Sequence, residues 1–258
     1  MKRKTIYYTD EINDDFAATR DSIKARPVSD DYCYDVQGVK KVVAWGLYRV
    51  IATPVVFFYC RVVRRVKIKN RRVLRTVDGG CFLYGNHTQN VIDAFLPTLV
   101  SFPKRCDVIT RDDAVSIFGL KNIVKMLGAL PLPSSLATMR SFSDILHKRI
   151  EKGRAVAIYP EAHIWPYYNK IRPFPDNSFS YPVSFGVPAV PYTVTYKKSA
   201  LPSFLPPKIT VYIGEPIYPD KSLSKSEARK AMRDAVYNQM CDASADSYEH
   251  IKYIKKDV

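Results

Sequence analysis

Residues 152–163 of this 258-residue chain read KGRAVAIYPEAH. Gly153 follows an amphipathic helix predicted for residues 141–152, and residues 155–159 form an apolar run that stops at Pro160. An uninterrupted apolar run of this length is typical of a strand covered on both faces, as in a parallel sheet. The stretch therefore predicts an α/β fold, and the Glu and His that follow the strand mark its end as a candidate site.

The same alternation of apolar runs and helical patterns extends from residue 79 to residue 243. Predicted strands occupy residues 81–84, 107–110, 155–159, 187–196 and 209–213, and predicted helices occupy residues 91–100, 117–127, 141–152 and 224–243. Proline cannot donate to a sheet ladder, so Pro188 and Pro191 predict a sheet edge or a strand entrance. We predict a mixed, largely parallel sheet flanked by helices, followed by a frayed tail from residue 244.

The charge balance points to a polyanionic partner. The chain has 40 Lys and Arg against 25 Asp and Glu, a formal charge of +15, and 47% of its residues are hydrophobic. This hydrophobic content excludes a disordered chain. The positive charge favours either nucleic acid or an anionic membrane surface, and composition does not choose between them.

Cysteine usage predicts a reducing compartment. The five cysteines are scattered and form no CxxC pair, which indicates neither a disulfide framework nor a zinc site, and we expect no metal. The first 26 residues lack an apolar core, so we expect no secretory signal.

Residues 42–60 form an apolar segment whose one charge is Arg49, and eight Lys and Arg follow within residues 61–75. As a helix the segment would be about 28 Å long, close to the thickness of a bilayer core. Pro54 interrupts it, so the segment either spans, dips into or lies on the bilayer, or packs as a buried amphipathic helix on its own domain. The flanking basic and aromatic residues favour membrane contact over the buried alternative.

A His and a carboxylate follow the predicted strand at residues 81–84. Residues 85–93 read GNHTQNVID, which places His87 and Asp93 at the strand end where α/β sheets usually bind ligands. A His whose tautomer is fixed by a carboxylate can deprotonate a hydroxyl group. A structural His–Asp pair remains the alternative for these two residues taken alone.

Four motifs taken together resemble the PlsC-type lysophospholipid acyltransferase (1-acylglycerol-3-phosphate acyltransferase) family. They are NHTQNVID (86–93), YPE (159–161), VPAVP (187–191) and GEPI (214–217). The resemblance covers residues 60–220 in the family's order. It implies an acyltransferase domain (66–222). Composition and hydrophobic pattern add a polar, loosely docked N-terminal arm (1–41), a membrane-associating segment (42–65), and a C-terminal helix with a basic tail (223–258).

The resemblance implies acyl transfer from acyl-CoA or acyl carrier protein to the hydroxyl of a lysophospholipid or related glycerolipid. His87 would be the general base and Asp93 its orienting partner, with no acyl-enzyme, cofactor or metal. The expected partners are anionic membrane lipids, the lysolipid and the acyl donor, at the cytoplasmic face of a membrane, with no nucleic acid. A catalytically inactive lipid-binding relative is the alternative, and a basic nucleic-acid-binding protein is the third reading.

Further site residues follow from the same resemblance. The expected substrate-binding residues are Glu161, His163, Lys170, Arg172 and Pro188, and Arg111 is expected to bind the acyl donor. An alternative for the stretch at residues 165–174 is a surface loop packed by its aromatic residues.

The sequence departs from the family pattern in its spacing and in its arginines. Five residues separate His87 from Asp93 where the family has four, so Asp93 reaches His87 only if the turn at residues 89–90 bulges, and Asn90 is the alternative partner. Both arginines that the family uses to bind phosphate are replaced. Either other cations substitute for them, namely His163, Lys170, Arg172 or Arg140, or the acceptor carries no phosphate monoester.

Overall fold

The computed structural model describes residues 4–17, 28–29, 32–111, 121–199 and 206–256. Nine strands lie in these ranges: β1 (Thr5–Tyr8), β2 (Lys67–Lys69), β3 (Cys81–Gly85), β4 (Cys106–Thr110), β5 (Ala129–Pro131), β6 (Ala155–Ile158), β7 (Ala189–Lys197), β8 (Lys208–Ile213) and β9 (Lys252–Lys255). Seven of them form one sheet in the order β2-β8-β7-β3-β6-β4-β5. All neighbours in it are parallel except β7 and β8. The predicted mixed, largely parallel sheet is confirmed.

Helices cover both faces of this sheet. They are α1 (Lys40–Gly46), α2 (Thr53–Phe58), α3 (Leu96–Ser101), α4 (Lys121–Met126), α5 (Leu136–Glu151), α6 (Ser180–Phe185) and α7 (Lys225–Ser244). Helices α1 and α2, joined and followed by π-helical turns, make one continuous helical segment, Lys40–Val63, which we call the apolar helix. The N-terminal part of the predicted helix at residues 117–127 lies outside the described residues.

Alternate residues of the central strands supply two cores. Cys81 and Leu83 of β3 face a cluster that includes the apolar helix and α3, whereas Phe82 and Tyr84 face a cluster that includes α5 and α7. Side chains alternate across a strand, so an uninterrupted apolar strand is buried on both faces. This arrangement explains why the β3 and β6 runs contain no polar positions.

Strand β7 lies inside the sheet, between β8 and β3. The expectation of a sheet edge at the two prolines is therefore wrong, whereas the expectation of a strand entrance holds for Pro188, which directly precedes β7. The ladder between β7 and β8 begins at Tyr192, one residue after Pro191. The missing N–H of Pro191 therefore removes no bond from that ladder.

The described parts of the N-terminal arm and of the C-terminal tail are structured rather than loose. Strand β1 pairs in parallel with β9, with Thr5 opposite Lys252 and Tyr8 opposite Lys255. The aromatic ring of Phe16 packs against Trp165, 5.3 Å between centroids. The predictions of a loosely docked arm and a frayed tail are wrong for these residues, because β1 of the arm and β9 of the tail pair with each other through their backbones.

Asp35 attaches the segment before the apolar helix to α5. Its carboxylate lies 2.5 Å from Lys148 Nζ and 3.1 Å from Arg149 Nη2. Burial alone would raise the pKa of Asp35, but the hydrogen bond from Lys148 and the charge of Arg149 outweigh it and lower the pKa to about 2. The ionised carboxylate therefore stabilises the fold.

We expect Asp35→Asn to lower the free energy of unfolding by about 2 kcal/mol at pH 7. A carboxyl whose pKa is lowered on folding stabilises above its unfolded pKa, and this contribution disappears as the pH falls from about 4 to 2. Urea unfolding at pH 7 and at pH 2.5 measures it, with Asp144→Asn, an exposed position on the same helix, as the control. If Asp35→Asn and wild type differed in free energy of unfolding by the same amount at both pH values, ionisation of Asp35 would not be the source of the stability.

Candidate active site

The candidate site lies where the parallel strands β3, β4 and β6 end. A cavity of about 480 Å³ opens there. Its lining includes His87, Asn90 and Asp93 after β3, Arg111 after β4 and Tyr159 after β6. Ligands of open α/β sheets bind at this edge because the loops that follow neighbouring strands meet there.

His87 and Asp93 are in direct contact. His87 Nδ1 lies 2.8 Å from Asp93 Oδ2, and the same oxygen accepts a hydrogen bond from the backbone N–H of Gln89 at 2.8 Å. The chain between the two residues is a loop and a turn that lead into a short 3₁₀ helix, 92–94, rather than an α-helix, so the additional residue is accommodated. Asp93, and not the alternative Asn90, is the partner of the imidazole.

The contact with Asp93 is made by Nδ1 of the imidazole. Burial raises the pKa of the Asp93 carboxyl, and the hydrogen bond and charge of His87 oppose that shift. An ionised Asp93 accepts the Nδ1–H of His87, which leaves the lone pair on Nε2 available. Because His87 lines the cavity, the residue can accept a proton there.

Tyr159 holds the imidazole from its flat side. Its ring stacks on His87 with 4.3 Å between centroids and 16° between planes. Its hydroxyl donates a hydrogen bond to the backbone carbonyl of Asp93 at 2.5 Å. Tyr159 therefore fixes both members of the pair, a role that sequence reasoning missed although the residue stands in a quoted motif.

Glu161 supports the site from behind instead of lining the cavity. Its buried carboxylate accepts hydrogen bonds from the backbone N–H of His87 and from that of Arg172, both at 3.0 Å. Arg172 Nη2 lies 3.4 Å from the same carboxylate and also donates to the carbonyl of His163. The expectation that Glu161 and Arg172 bind substrate has no support from their positions, because both are buried and paired with each other.

The loop that carries His87 is fixed to β7. Asn86 exchanges two hydrogen bonds with the backbone of Val194, at 2.7 and 3.0 Å. The hydroxyl of Tyr196 lies 2.7 Å from Thr88 Oγ1 and 2.9 Å from Gln89 Nε2. These buried polar side chains hold the loop in one conformation, so the imidazole is positioned before any substrate arrives.

Two other predicted residues, Lys170 and Pro188, lie away from the cavity. Lys170 is exposed on the protein surface. Pro188 lies at the start of β7, and His87 follows β3 at the opposite end of these parallel strands. The expectation that Pro188 binds substrate is therefore not supported by its position. No residue of the stretch 165–174 is among those that line the cavity in the described part of the chain, which agrees with the alternative of a packed aromatic loop.

The predicted Arg111 does line the cavity, and an acidic residue from the N-terminal arm meets it there. Arg111 Nη1 lies 3.4 Å from Asp15 Oδ2, and His163 Nδ1 lies 3.4 Å from the same oxygen. Asp15 also lines the cavity. Sequence reasoning missed it, because nothing distinguishes Asp15 from the other acidic residues of a mixed-charge arm.

The sequence model of the acyltransferase family matches residues 65–195, about half of the chain. The chain belongs to the acyltransferase family. The match contains the His87–Asp93 loop and Glu161, and the protein is an acyltransferase.

Among the residues described, no group of three or more His, Cys, Asp and Glu is arranged to hold a metal ion.

A solved structure supports the same fold for this acyltransferase. The crystal structure of the 1-acyl-sn-glycerophosphate acyltransferase PlsC from Thermotoga maritima is 18% identical, with a TM-score of 0.52. The match covers 81% of this chain and 95% of that one. At this identity the likeness shows a shared fold. No curated protein matches the sequence.

Proposed function

We propose that the protein transfers a fatty acyl group from acyl-CoA or acyl carrier protein to the free hydroxyl of a lysophospholipid or related glycerolipid, with His87 as general base. The observation that carries this proposal is the 2.8 Å contact between His87 Nδ1 and Asp93 Oδ2 at the cavity wall. The 1-acyl-sn-glycerophosphate acyltransferase activity in the name of the Thermotoga maritima relative supports a glycerolipid acceptor.

The proposed step uses His87 twice. Nε2 takes the proton of the acceptor hydroxyl as its oxygen attacks the thioester carbonyl. The tetrahedral intermediate then collapses, the carbon–sulfur bond breaks, and the imidazolium returns the proton to the leaving thiolate. A thioester is already activated, so positioning and deprotonation suffice, and the step needs no acyl-enzyme or cofactor.

The cavity walls suit an amphiphilic substrate. Val108, Ile109, Leu132 and Ile158 supply apolar surface, and polar groups lie beside them. Lipid sites combine an apolar lining with a few polar groups that orient the ligand. This composition supports a fatty acyl chain beside a polar head group.

Thiol release from acyl-CoA in the presence of a panel of lysolipids tests the proposal. We expect release that depends on both the enzyme and an acceptor. Lipid binding without acceptor-dependent thiol release, from either CoA or carrier-protein thioesters, would favour the inactive lipid-binding relative instead.

We further propose that the apolar helix lies on the membrane surface. It has 24 residues, and an 18-residue window within it has a mean hydropathy of 1.5, so it is long and apolar enough to cross a bilayer by length and composition alone. However, Ala44, Tyr48, Val56 and Cys60 of one helix face are buried against the domain. A helix packed on its own domain along one face presents the other face to lipid, and this geometry supports a surface location.

Basic residues beside the apolar helix support an anionic membrane. Arg71, Arg75 and Lys104 line a second cavity of about 630 Å³, and the guanidinium of Arg71 lies over the ring of Phe57 in the helix, 5.9 Å from its centroid. Phosphate head groups beside an apolar layer match this arrangement. All five cysteines are free, which favours the cytoplasmic face.

We expect the triple variant Trp45→Ser, Val50→Ser, Phe58→Ser to bind anionic vesicles at least tenfold more weakly than wild type. The three side chains are about 60% exposed, so the loss falls on the membrane contact rather than on the core. Vesicle sedimentation measures it, and the control is Tyr218→Ser, an exposed aromatic residue outside the helix. Equal binding by the triple variant and wild type would refute the surface location.

A further inference from the structure

We propose that Asp15 makes the acceptor site select glycerolipids that carry no phosphate monoester, and so favours acceptors with an uncharged, hydroxyl-bearing head group. The proposal rests on the proposed function, because it names the substrate class of the same site. It concerns a residue of the N-terminal arm, outside the residues matched by the family model.

Asp15 occupies the position that an anionic ligand would take. Its side chain is only 5% exposed, although it lines the cavity. Arg111 Nη1 and His163 Nδ1 each lie 3.4 Å from Oδ2, and Oδ1 accepts hydrogen bonds from the backbone N–H of Ala17 at 3.0 Å and of Ile164 at 3.3 Å. A guanidinium, an imidazole and two amides are the groups that bind a phosphate, and here they bind a carboxylate of the chain itself.

The arm that carries Asp15 is firmly docked. Trp165 Nε1 donates to the carbonyl of Asp14 at 2.7 Å, and the backbone N–H of Phe16 donates to the carbonyl of Ile164 at 3.0 Å. These bonds on either side of Asp15 fix its carboxylate in the cavity wall. An entering acceptor therefore meets it as a permanent part of the site.

Asp15 also lies close to the proposed base. Its Oδ1 bonds to the N–H of Ile164, and the N–H of the next residue, Trp165, bonds to the carbonyl of His87 at 3.1 Å. Two adjacent amides thus connect the carboxylate to the loop that carries the imidazole. An acceptor whose hydroxyl reaches His87 has the rest of its head group within reach of Asp15.

The charge of the cavity disfavours a phosphate monoester. The ionisable carboxylates that line it are Asp15 and Asp93, against the one guanidinium of Arg111, among the residues described. The Asp15 carboxylate already offsets the charge of Arg111, and a phosphate monoester would bring up to two negative charges close to that carboxylate. In a partly buried site, repulsion between like charges a few ångströms apart costs several kcal/mol.

The carboxylate is charged at neutral pH. Burial alone would raise the pKa of Asp15, but the hydrogen bond from the Ala17 amide and the neighbouring imidazole of His163 outweigh it, and the pKa lies below its usual range. The remaining polar side chains of the lining are uncharged and belong to Asn90, Thr110, Tyr159, Asn177, Ser178 and Tyr181. Amide and hydroxyl groups match a head group that presents hydroxyls.

The matched pair of acceptors is a monoacylglycerol and the corresponding 1-acylglycerol 3-phosphate, which differ only in the phosphate. Both are offered in the same mixed micelles to wild type, Asp15→Asn and Asp10→Asn, and kcat/KM is measured for each. Asp10→Asn is the control because it perturbs the turn of the same arm from an exposed position. Equilibrium binding of both lipids to His87→Ala, with and without Asp15→Asn, supplies a readout that needs no turnover.

We expect wild type to prefer the monoacylglycerol, and we expect Asp15→Asn to shift the kcat/KM ratio toward the phosphate-bearing acceptor by at least tenfold, with Asp10→Asn unchanged. The binding ratio should shift in the same direction. A wild-type preference for the phosphate, or an unchanged ratio in Asp15→Asn, would overturn the proposal while leaving acyl transfer intact. No turnover with any acceptor would instead refute the proposed function, and the binding ratio alone would then decide the role of Asp15.

Discussion

Replacement of His87 by alanine is expected to lower kcat for acyl transfer by about 10² to 10⁴, the range that a general base contributes. No other described imidazole lines the cavity, so no side chain of the same kind can take over the proton. The side chain of His87 is partly exposed to the cavity and its backbone is held by Glu161 and Trp165, so the fold should survive.

The control for this loss is His147→Ala, which removes an exposed histidine from α5. We expect it to leave kcat unchanged. Steady-state thiol release measures both variants, and circular dichroism verifies their folding. Turnover by a folded His87→Ala protein within threefold of wild type would refute the role of His87.

Removal of Arg172 is expected to give the largest loss of stability. Arg172→Met leaves the buried carboxylate of Glu161 without its cation, and breaking a buried ion pair in this way costs about 3 to 5 kcal/mol. The guanidinium also stacks on Trp165, 5.0 Å from the ring centroid, and donates to the carbonyl of Glu11 in the N-terminal arm at 3.2 Å. Docking of the arm should therefore weaken together with the fold.

The loss should grow as the pH rises. Burial already raises the pKa of Glu161 against the opposing charge of Arg172, and removing that charge raises the pKa further. A carboxyl whose pKa is raised on folding destabilises progressively as the pH increases from about 4.5 through its folded pKa. Arg172→Met should therefore lose more stability at pH 8 than at pH 5.

Urea unfolding of wild type, Arg172→Met and Arg172→Lys at the two pH values measures this effect. The lysine variant keeps the charge but loses the planar donor set, so we expect an intermediate loss with a weaker dependence on pH. A loss below 1 kcal/mol for Arg172→Met at pH 8 would contradict the structural role assigned to the pair.

The sequence pattern predicted those features of the fold that are formed by residues close together in the chain. The apolar runs of β3 and β6, the start of α7 after Ser224 and the pairing of His87 with Asp93 all involve residues close in sequence. Each was predictable because strand burial, helix capping and a short His–Asp loop are determined by neighbouring side chains.

The remaining features depend on contacts across the chain. The pairing of β1 with β9 joins the two ends of the sequence, and Asp15 reaches the cavity beside His163, 148 residues away in the numbering. Neither contact leaves a local pattern. Glu161 was expected to bind substrate because its motif resembles one of the family, yet its burial and its bond to the His87 amide follow from tertiary packing.

The most direct test of the central claim is mass spectrometry of both lipid and protein after incubation of the purified enzyme with acyl-CoA and lysolipid in vesicles. We expect an acceptor that gains one acyl chain with wild type, little such product with His87→Ala, and an unchanged protein mass in both. Equal product from the two proteins, or a wild-type protein that retains the acyl group when acceptor is withheld, would contradict it.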